Sequence, residues 1–251
     1  MIRYETKDAI ARITLNAPPI NVLTLDLIDE FLIALCRARD DIDVRAVVIS
    51  SAIPRFFSAG LDIKALQHES GDGITILLDR LYLRLCEVQS DLGKPSIAAV
   101  TGAARGGGMT LAISCNVIVA GASATFGYPE INVGLLPAIH FVHLPRIIGR
   151  HRAFELLFTG RAFGADEAQH LGLVSRIVRD EDVVTEALAL ARTFADKSPM
   201  AMMLGHRAFM RANDMYLDVA KTIEPFREAA TSMDGREAMR AFVEKRPPRF
   251  S

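Results

Sequence analysis

Three short stretches of this 251-residue chain hold residue types that do chemistry. Gly106-Gly107-Gly108 follows the apolar run Ile97-Ala98-Ala99-Val100 and leads into Met109 to Cys115, a segment with few charges that predicts a buried helix. Strand, glycines, helix is the outline of an anion-accepting site. Glycine lets backbone approach a ligand closely and take φ > 0, and a helix N-terminus exposes unpaired N–H groups with a partial positive charge. The group accepted is either a phosphate or an oxyanion that develops during reaction; tight strand–helix packing would also select small residues. A second loop, Phe57-Ser58-Ala59-Gly60-Leu61-Asp62-Ile63, has the same small-residue character. Two such loops can aim two N–H donors at one oxygen, each donor worth about 3 kcal/mol, or ~10²–10³ in rate. The third stretch, Tyr128-Pro129-Glu130, offers a carboxylate. It is either a proton-transfer group or a surface acid after a proline.

Other local patterns narrow the chemistry. The dinucleotide fingerprint GxGxxG and the P-loop GxxxxGK[ST] are absent, and so is the nucleophile elbow GxSxG. His140 and His143 are three apart, but no third ligand lies at a metal-binding spacing. They are expected to pack or to line a pocket, with no metal. Arg105, inside the glycine motif, is expected to face solvent. Tyr128 either reaches a ligand or closes a strand. Met200, Met202 and Met203 are expected in a core or a subunit contact.

The elements that must position these groups are legible as a rhythm. Ile2 to Thr6 and Ile10 to Leu15 alternate and form a hairpin with its turn at Lys7-Asp8. Helical spacing begins at Leu25. Ala46 to Ile49 and Ile97 to Val100 are buried-strand runs, with a loop from Ser50 to Gly60 and a helix from Ile74 to Glu87. Further strands are expected at Val117 to Ala120, Ala124 to Phe126 and Val174 to Val178, and helices at Arg150 to Phe158 and Val183 to Ala195. Ser198-Pro199 has the form of a helix cap and first-turn proline, and the rest to Phe242 is helical. Strands alternating with helices favour parallel pairing. The chain divides into an α/β part, 1–195, and an all-helical tail, 196–251.

Composition sets the class. Half of the residues are apolar and the net charge is −1, so a full core is expected and a nucleic-acid partner is not. Cys36, Cys86 and Cys115 are far apart and odd in number, which suits a reducing compartment. Residues Met1 to Ala9 carry charges where a signal peptide needs an apolar run. No stretch approaches about 18 uninterrupted apolar residues. A cytoplasmic globular protein that neither spans nor binds a membrane is the expectation.

Phe57-Ser58-Ala59-Gly60-Leu61-Asp62-Ile63-Lys64, Gly102-Ala103-Ala104-Arg105-Gly106-Gly107-Gly108 and Phe126-Gly127-Tyr128-Pro129-Glu130 resemble, in order, motifs of the crotonase superfamily of enoyl-CoA hydratases and isomerases. Gly134-Leu135-Leu136-Pro137, Leu157 to Arg161, Ala165 to Val174 and Phe242 to Arg246 resemble its later blocks, so the match covers nearly the whole chain. The resemblance implies a crotonase-like (ClpP/crotonase) α/β spiral of ββα units with a C-terminal helical trimerisation segment, assembled as a homotrimer or a dimer of trimers. It implies an acyl-CoA substrate, with coenzyme A as part of that substrate and no separate cofactor. The thioester oxygen would sit between the N–H groups of Leu61 and Gly107, with Glu130 as the acid–base residue. Ala59, Gly60, Asp62, Ile63 and Lys64 would line the coenzyme path; Gly106, Thr110 and His140 would line the acyl side.

Two departures stand out. Family hydratases usually carry a second glutamate two residues after the glycine triplet, and Thr110 stands there instead. A glycine-rich stretch of the family is altered to Pro137-Ala138-Ile139-His140-Phe141-Val142-His143-Leu144. One carboxylate suffices to move a proton from C2 to C4 of a 3-enoyl chain, whereas hydration is better divided between two. The residues lean toward Δ3–Δ2 isomerisation, with 2-enoyl hydration or another crotonase-type lyase or hydrolase chemistry as the alternative. A serine hydrolase of related fold lacks a recognisable nucleophile context here. A scaffold or RNA-binding relative is disfavoured by the near-neutral charge.

Overall fold

The computed structural model describes residues 1–250. The chain opens with the hairpin β1 (Ile2–Lys7) and β2 (Ile10–Leu15), turned by Asp8 and Ala9, both at positive φ. β3 (Val22–Leu23) leads to α1 (Leu25–Asp40), where Thr24 caps the helix by accepting the Leu27 N–H. Its apolar face, Leu27, Ile28, Phe31, Leu32 and Leu35, is buried at the expected helical spacing. The far end is closed from outside the helix: Lys94 Nζ donates to the carbonyls of Ala38, Arg39 and Asp41 at 2.6, 2.9 and 2.6 Å.

β4 (Ala46–Ser51), β5 (Phe56–Ser58) and β6 (Gly60–Leu61) come next, then α2 (Ile63–Leu66). A longer helical stretch has three parts: α3 (Gly71–Leu78), a π-helical turn over Asp79–Arg84, and α4 (Leu85–Asp91). β7 (Ser96–Val100), β8 (Ala103–Arg105) and α5 (Gly107–Ser114) follow, then β9 (Val117–Gly121), β10 (Thr125–Gly127) and a 3₁₀ turn over Pro129–Val133. After α6 (His140–Ile148) and α7 (Arg150–Thr159) come β11 (Ala162–Gly164), α8 (Ala165–His170) and β12 (Arg176–Val178). α9 (Val183–Ala195), α10 (Pro199–Ala212), α11 (Tyr216–Thr231) and α12 (Met233–Val243) complete the chain.

The strand–strand–helix rhythm has a simple spatial meaning. In the units that begin at β4, β7 and β9 the first strand joins one sheet and the second strand joins another. The large sheet has the order β1-β2-β4-β7-β9-β12, parallel beyond the hairpin; the small sheet has the order β11-β10-β8-β5. Each of these three units thereby adds one strand to each sheet and turns the chain through a spiral. Side chains of the large sheet alternate between two cores. Val47, Ile49, Ala98 and Val100 face the main core with α1 and α5; Val48, Ile97, Ala99 and Val119 face Val183, Ala187 and Ala191 of α9.

Two expectations need correction. The segment read as a loop from Ser50 to Gly60 contains β5 and the first residue of β6, strands of three and two residues, too short to show alternation. The Ile74 to Glu87 helix is real but carries the π turn. Of the two places expected for Met200, the core is ruled out: it is 61% exposed, and no residue of α10 is buried. No described helix is long and apolar enough to cross a membrane.

Candidate active site

The first glycine loop is held by polar cross-links. Asn21 is fully buried; its side chain donates to the Phe57 carbonyl at 2.9 Å and to Ser51 Oγ at 2.8 Å, and accepts the Ala17 N–H at 2.8 Å. Ser58 Oγ donates to the Asn21 carbonyl and accepts the Gly60 N–H at 3.2 Å. Gly60 takes φ +90°, and a methyl group on it would lie 2.7 Å from the Arg105 carbonyl and 3.2 Å from the Gly107 nitrogen. The loop bearing Leu61 is therefore pressed against the N-terminus of α5. Only a residue without Cβ permits that approach.

The glycine triplet divides its work among three neighbours. Gly106, at φ +50°, joins β8 to α5; its N–H donates to the Gly127 carbonyl, and a Cβ on it would meet Glu130 Oε1 at 2.7 Å. Gly107 is the first residue of α5, where N–H groups lack intrahelical acceptors. A Cβ there would meet Leu23, Leu81 and Leu61 at 2.9, 3.3 and 3.6 Å. Gly108 packs against Ser58 in the same way.

Glu130 sits on the 3₁₀ turn after β10, with Pro129 in its first position and Gly134 closing it in the left-handed conformation. Gly134 lies against Gly235 and Ala238 of α12, so the C-terminal helix braces this turn. The Glu130 side chain is buried and its Oε2 has no hydrogen-bond partner. Desolvation raises its pKa from 4.5 to about 7, against a smaller opposing effect of its own backbone N–H. The charge is felt by Tyr82 and Tyr128, two buried phenols that burial itself already holds strongly protonated.

The remaining expected residues fall into two groups. Thr110 and His140 are buried together, with Oγ1 3.4 Å from Nε2, and the His140 ring packs on Tyr128 with centroids 4.5 Å apart. Ala59 is half-buried beside Gly60. Asp62 spends its carboxylate as a cap, accepting the N–H groups of Lys64 and Ala65 at 3.0 and 3.1 Å; Ile63 is half-buried and Lys64 is exposed. Gly60 and Leu61 thus lie against Gly107, and Gly106 lies against Glu130. Arg105 does not face solvent as expected. It is half-buried and donates to Thr125 Oγ1 at 2.8 Å on the neighbouring strand, and burial lowers its pKa.

Sequence reasoning missed Leu23, Leu81 and Tyr82. The last two sit on the π turn, a form often found at functional sites. Its apolar spacing matches that of an ordinary helix, so no local signal distinguishes it.

A sequence model described as enoyl-CoA hydratase/isomerase matches residues 5–251. The chain belongs to the enoyl-CoA hydratase/isomerase family. This family member is 36% identical to a probable enoyl-CoA hydratase of Bacillus subtilis, over 96% of this chain and 95% of that protein. It is 33% identical to the short-chain-enoyl-CoA hydratase of Clostridium acetobutylicum, over 96% and 94%. Among solved structures, an enoyl-CoA hydratase/isomerase from Pseudoalteromonas atlantica superimposes with a TM-score of 0.87 at 29% identity, covering 100% of this chain and 99% of that one. The fold is that of the crotonase superfamily, and this hydratase/isomerase-family chain is an enzyme.

Proposed function

We propose that this enzyme binds an acyl-CoA thioester, holds its carbonyl oxygen with the N–H groups of Leu61 and Gly107, and shifts a double bond from C3 to C2 with Glu130 as the single mobile base. The observation that carries this reading is the buried Glu130 carboxyl against Gly106, with a threonine where a second carboxylate would stand. The Glu130 carboxylate takes a proton from C2, and the electron pair of that C–H bond delocalises onto the thioester oxygen as an enolate. The two amides stabilise the developing charge without reorganising. The enolate electrons then form C2=C3 and restore the thioester carbonyl, while the C3=C4 π pair breaks to take the proton of the carboxyl at C4. Atoms and charge balance with one base. Ala59, Gly60, Asp62, Ile63 and Lys64 border the path of the coenzyme, which enters and leaves as part of the substrate.

Hydration of a 2-enoyl thioester is the second reading, favoured by the names of the relatives. Assembly is expected as a homotrimer or a dimer of trimers. α10 supports this by exposing Leu204 and Phe209 along with Met200 and burying nothing of its own; sedimentation velocity reads the mass directly.

The deciding experiment is Glu130→Gln assayed on a 3-enoyl-CoA. Turnover should fall by ~10³ or more, while binding of a non-reactive CoA thioester changes less than ~3-fold. Turnover close to wild type would remove Glu130 as the base.

A further inference from the structure

The two amides assigned to the thioester oxygen are anchored very differently. Gly107 opens α5, which is buried from Gly107 through Ala112. Leu61 ends β6, a strand of two residues whose sheet has one other member, the two-residue β3. The Asp62 N–H donates to the Leu23 carbonyl at 3.3 Å, and the pairing stops there. A catalytic group must hold its place within ~0.5 Å, so the chain that leaves Leu61 needs an anchor of its own. That anchor is on α12. α2 is one turn long, opened by the Asp62 cap and pinned by the buried Leu66. Carbonyls at the end of a helix lack intrahelical donors, and the Arg236 guanidinium supplies them from outside. Its Nη1 donates to the Gln67 carbonyl at 2.5 Å and its Nη2 to the Glu69 carbonyl at 2.8 Å. A planar fork on two carbonyls fixes direction as well as position. The residue before it, Gly235, lies against the turn that carries Glu130: a Cβ on Gly134 would meet the Gly235 Cα and the Ala238 Cβ, both at 2.8 Å. This first turn of α12 is itself held by the Ser232 cap, which accepts the Gly235 N–H at 3.0 Å. It therefore touches the acid turn with one residue and the chain beyond Leu61 with the next.

We propose that Arg236 is a positioning residue for the reaction: by clamping the link between α2 and α3 to the helix that braces the acid turn, it sets the Leu61 amide relative to Glu130. The proposal rests on the reading of Leu61, Gly107 and Glu130 given above. Arg236 acts through the Gln67 and Glu69 carbonyls and through α2, which joins them to the Asp62 cap and so to Leu61. Its loss leaves both amides and the carboxyl present and loosens their spacing. An amide aimed at the thioester oxygen contributes most when that oxygen carries charge. Loosening it therefore costs turnover and not substrate binding.

The test uses the full-length enzyme. Arg236→Met removes the donors and keeps an apolar stem; Arg236→Gln takes its place where that variant does not fold. Turnover is read with a 3-enoyl-CoA. Carbonyl polarisation is read separately, from the absorption of a bound arylacryloyl-CoA, a conjugated thioester whose band moves to longer wavelength when its carbonyl oxygen accepts hydrogen bonds. The variant should lose ~10-fold or more in kcat with KM within ~3-fold of wild type. The band shift that the wild-type enzyme induces should shrink by about half or more, as expected when one of two donors loses its aim. A folded variant with wild-type kcat and an unchanged band, whatever its Tm, makes Arg236 a structural residue only and overturns the proposal. A loss confined to KM overturns it too. A wild-type enzyme that leaves the band where it lies in water would instead overturn the reading of the two amides on which the proposal rests.

Discussion

The α-carbon of Gly106 faces the carboxyl group of Glu130 so closely that one added methyl group would sit 2.7 Å from Oε1. The residue that joins β8 to α5 thus also borders the acid. Gly106→Ala should lower kcat by ~10² or more by displacing that carboxyl. Its φ of +50° with ψ of −115° adds a backbone cost of about 1–3 kcal/mol. Steady-state kinetics together with a denaturant titration separate the two effects; wild-type kcat in a folded variant would show that the acid need not sit there.

Glu130 should set the pH dependence of both rate and stability. It must be ionised to take the C2 proton, so kcat/KM for isomerisation should rise with pH and level off above about 7. Stability moves the other way. The folded-state pKa lies above the unfolded one, so the native state binds the proton more tightly. The stabilising contribution is complete below 4.5 and is lost as pH rises through about 7, a loss of about 3 kcal/mol. Glu130→Gln lacks this loss, so its stability relative to wild type should grow between pH 5 and pH 8, measured by denaturation at each pH. A constant difference would mean that the group is solvated.

Restoring a second carboxylate at position 110 should increase hydration only if room is made. Thr110 is buried against His140, so Thr110→Glu alone must push the ring aside, at a cost typical of overpacking, about 1–3 kcal/mol. Thr110→Glu with His140→Ala should hydrate crotonyl-CoA ~10-fold faster than Thr110→Glu alone. Equal rates from the single and double variants would count against the clash.

Lys94 is expected to matter for the fold and not for the chemistry. Its three bonds satisfy carbonyls at the end of α1. Lys94→Met should destabilise the protein by about 2 kcal/mol and lower Tm by roughly 4–8 °C, with KM unchanged. A shift in KM with no change in Tm would reverse that assignment.

Much of this was legible in the residues, and the limits have physical causes. Gly106 to Gly108 and the Ser198-Pro199 cap are local patterns, and the structure has both: Ser198 accepts the Ala201 N–H and Pro199 opens α10. What each glycine touches was hidden, because Glu130, Leu81 and Ser58 are close only once the spiral is wound. Arg105 was misjudged for the same reason; β8 and β10 are parallel neighbours, which places Thr125 within reach of its guanidinium. The spacing of His140 and His143 signalled a shared helix face, but their link to Thr110 spans thirty residues and two elements. The three-residue β5 is too short to alternate, and the π turn keeps the apolar spacing of an ordinary helix.

The contact between Gly134 and α12 ties the timing of biosynthesis to competence. The turn bearing Glu130 emerges from the ribosome long before the helix that steadies it. A nascent or clipped polypeptide ending before Met233 would own every reactive group and still lack the buttress that holds its acid in place.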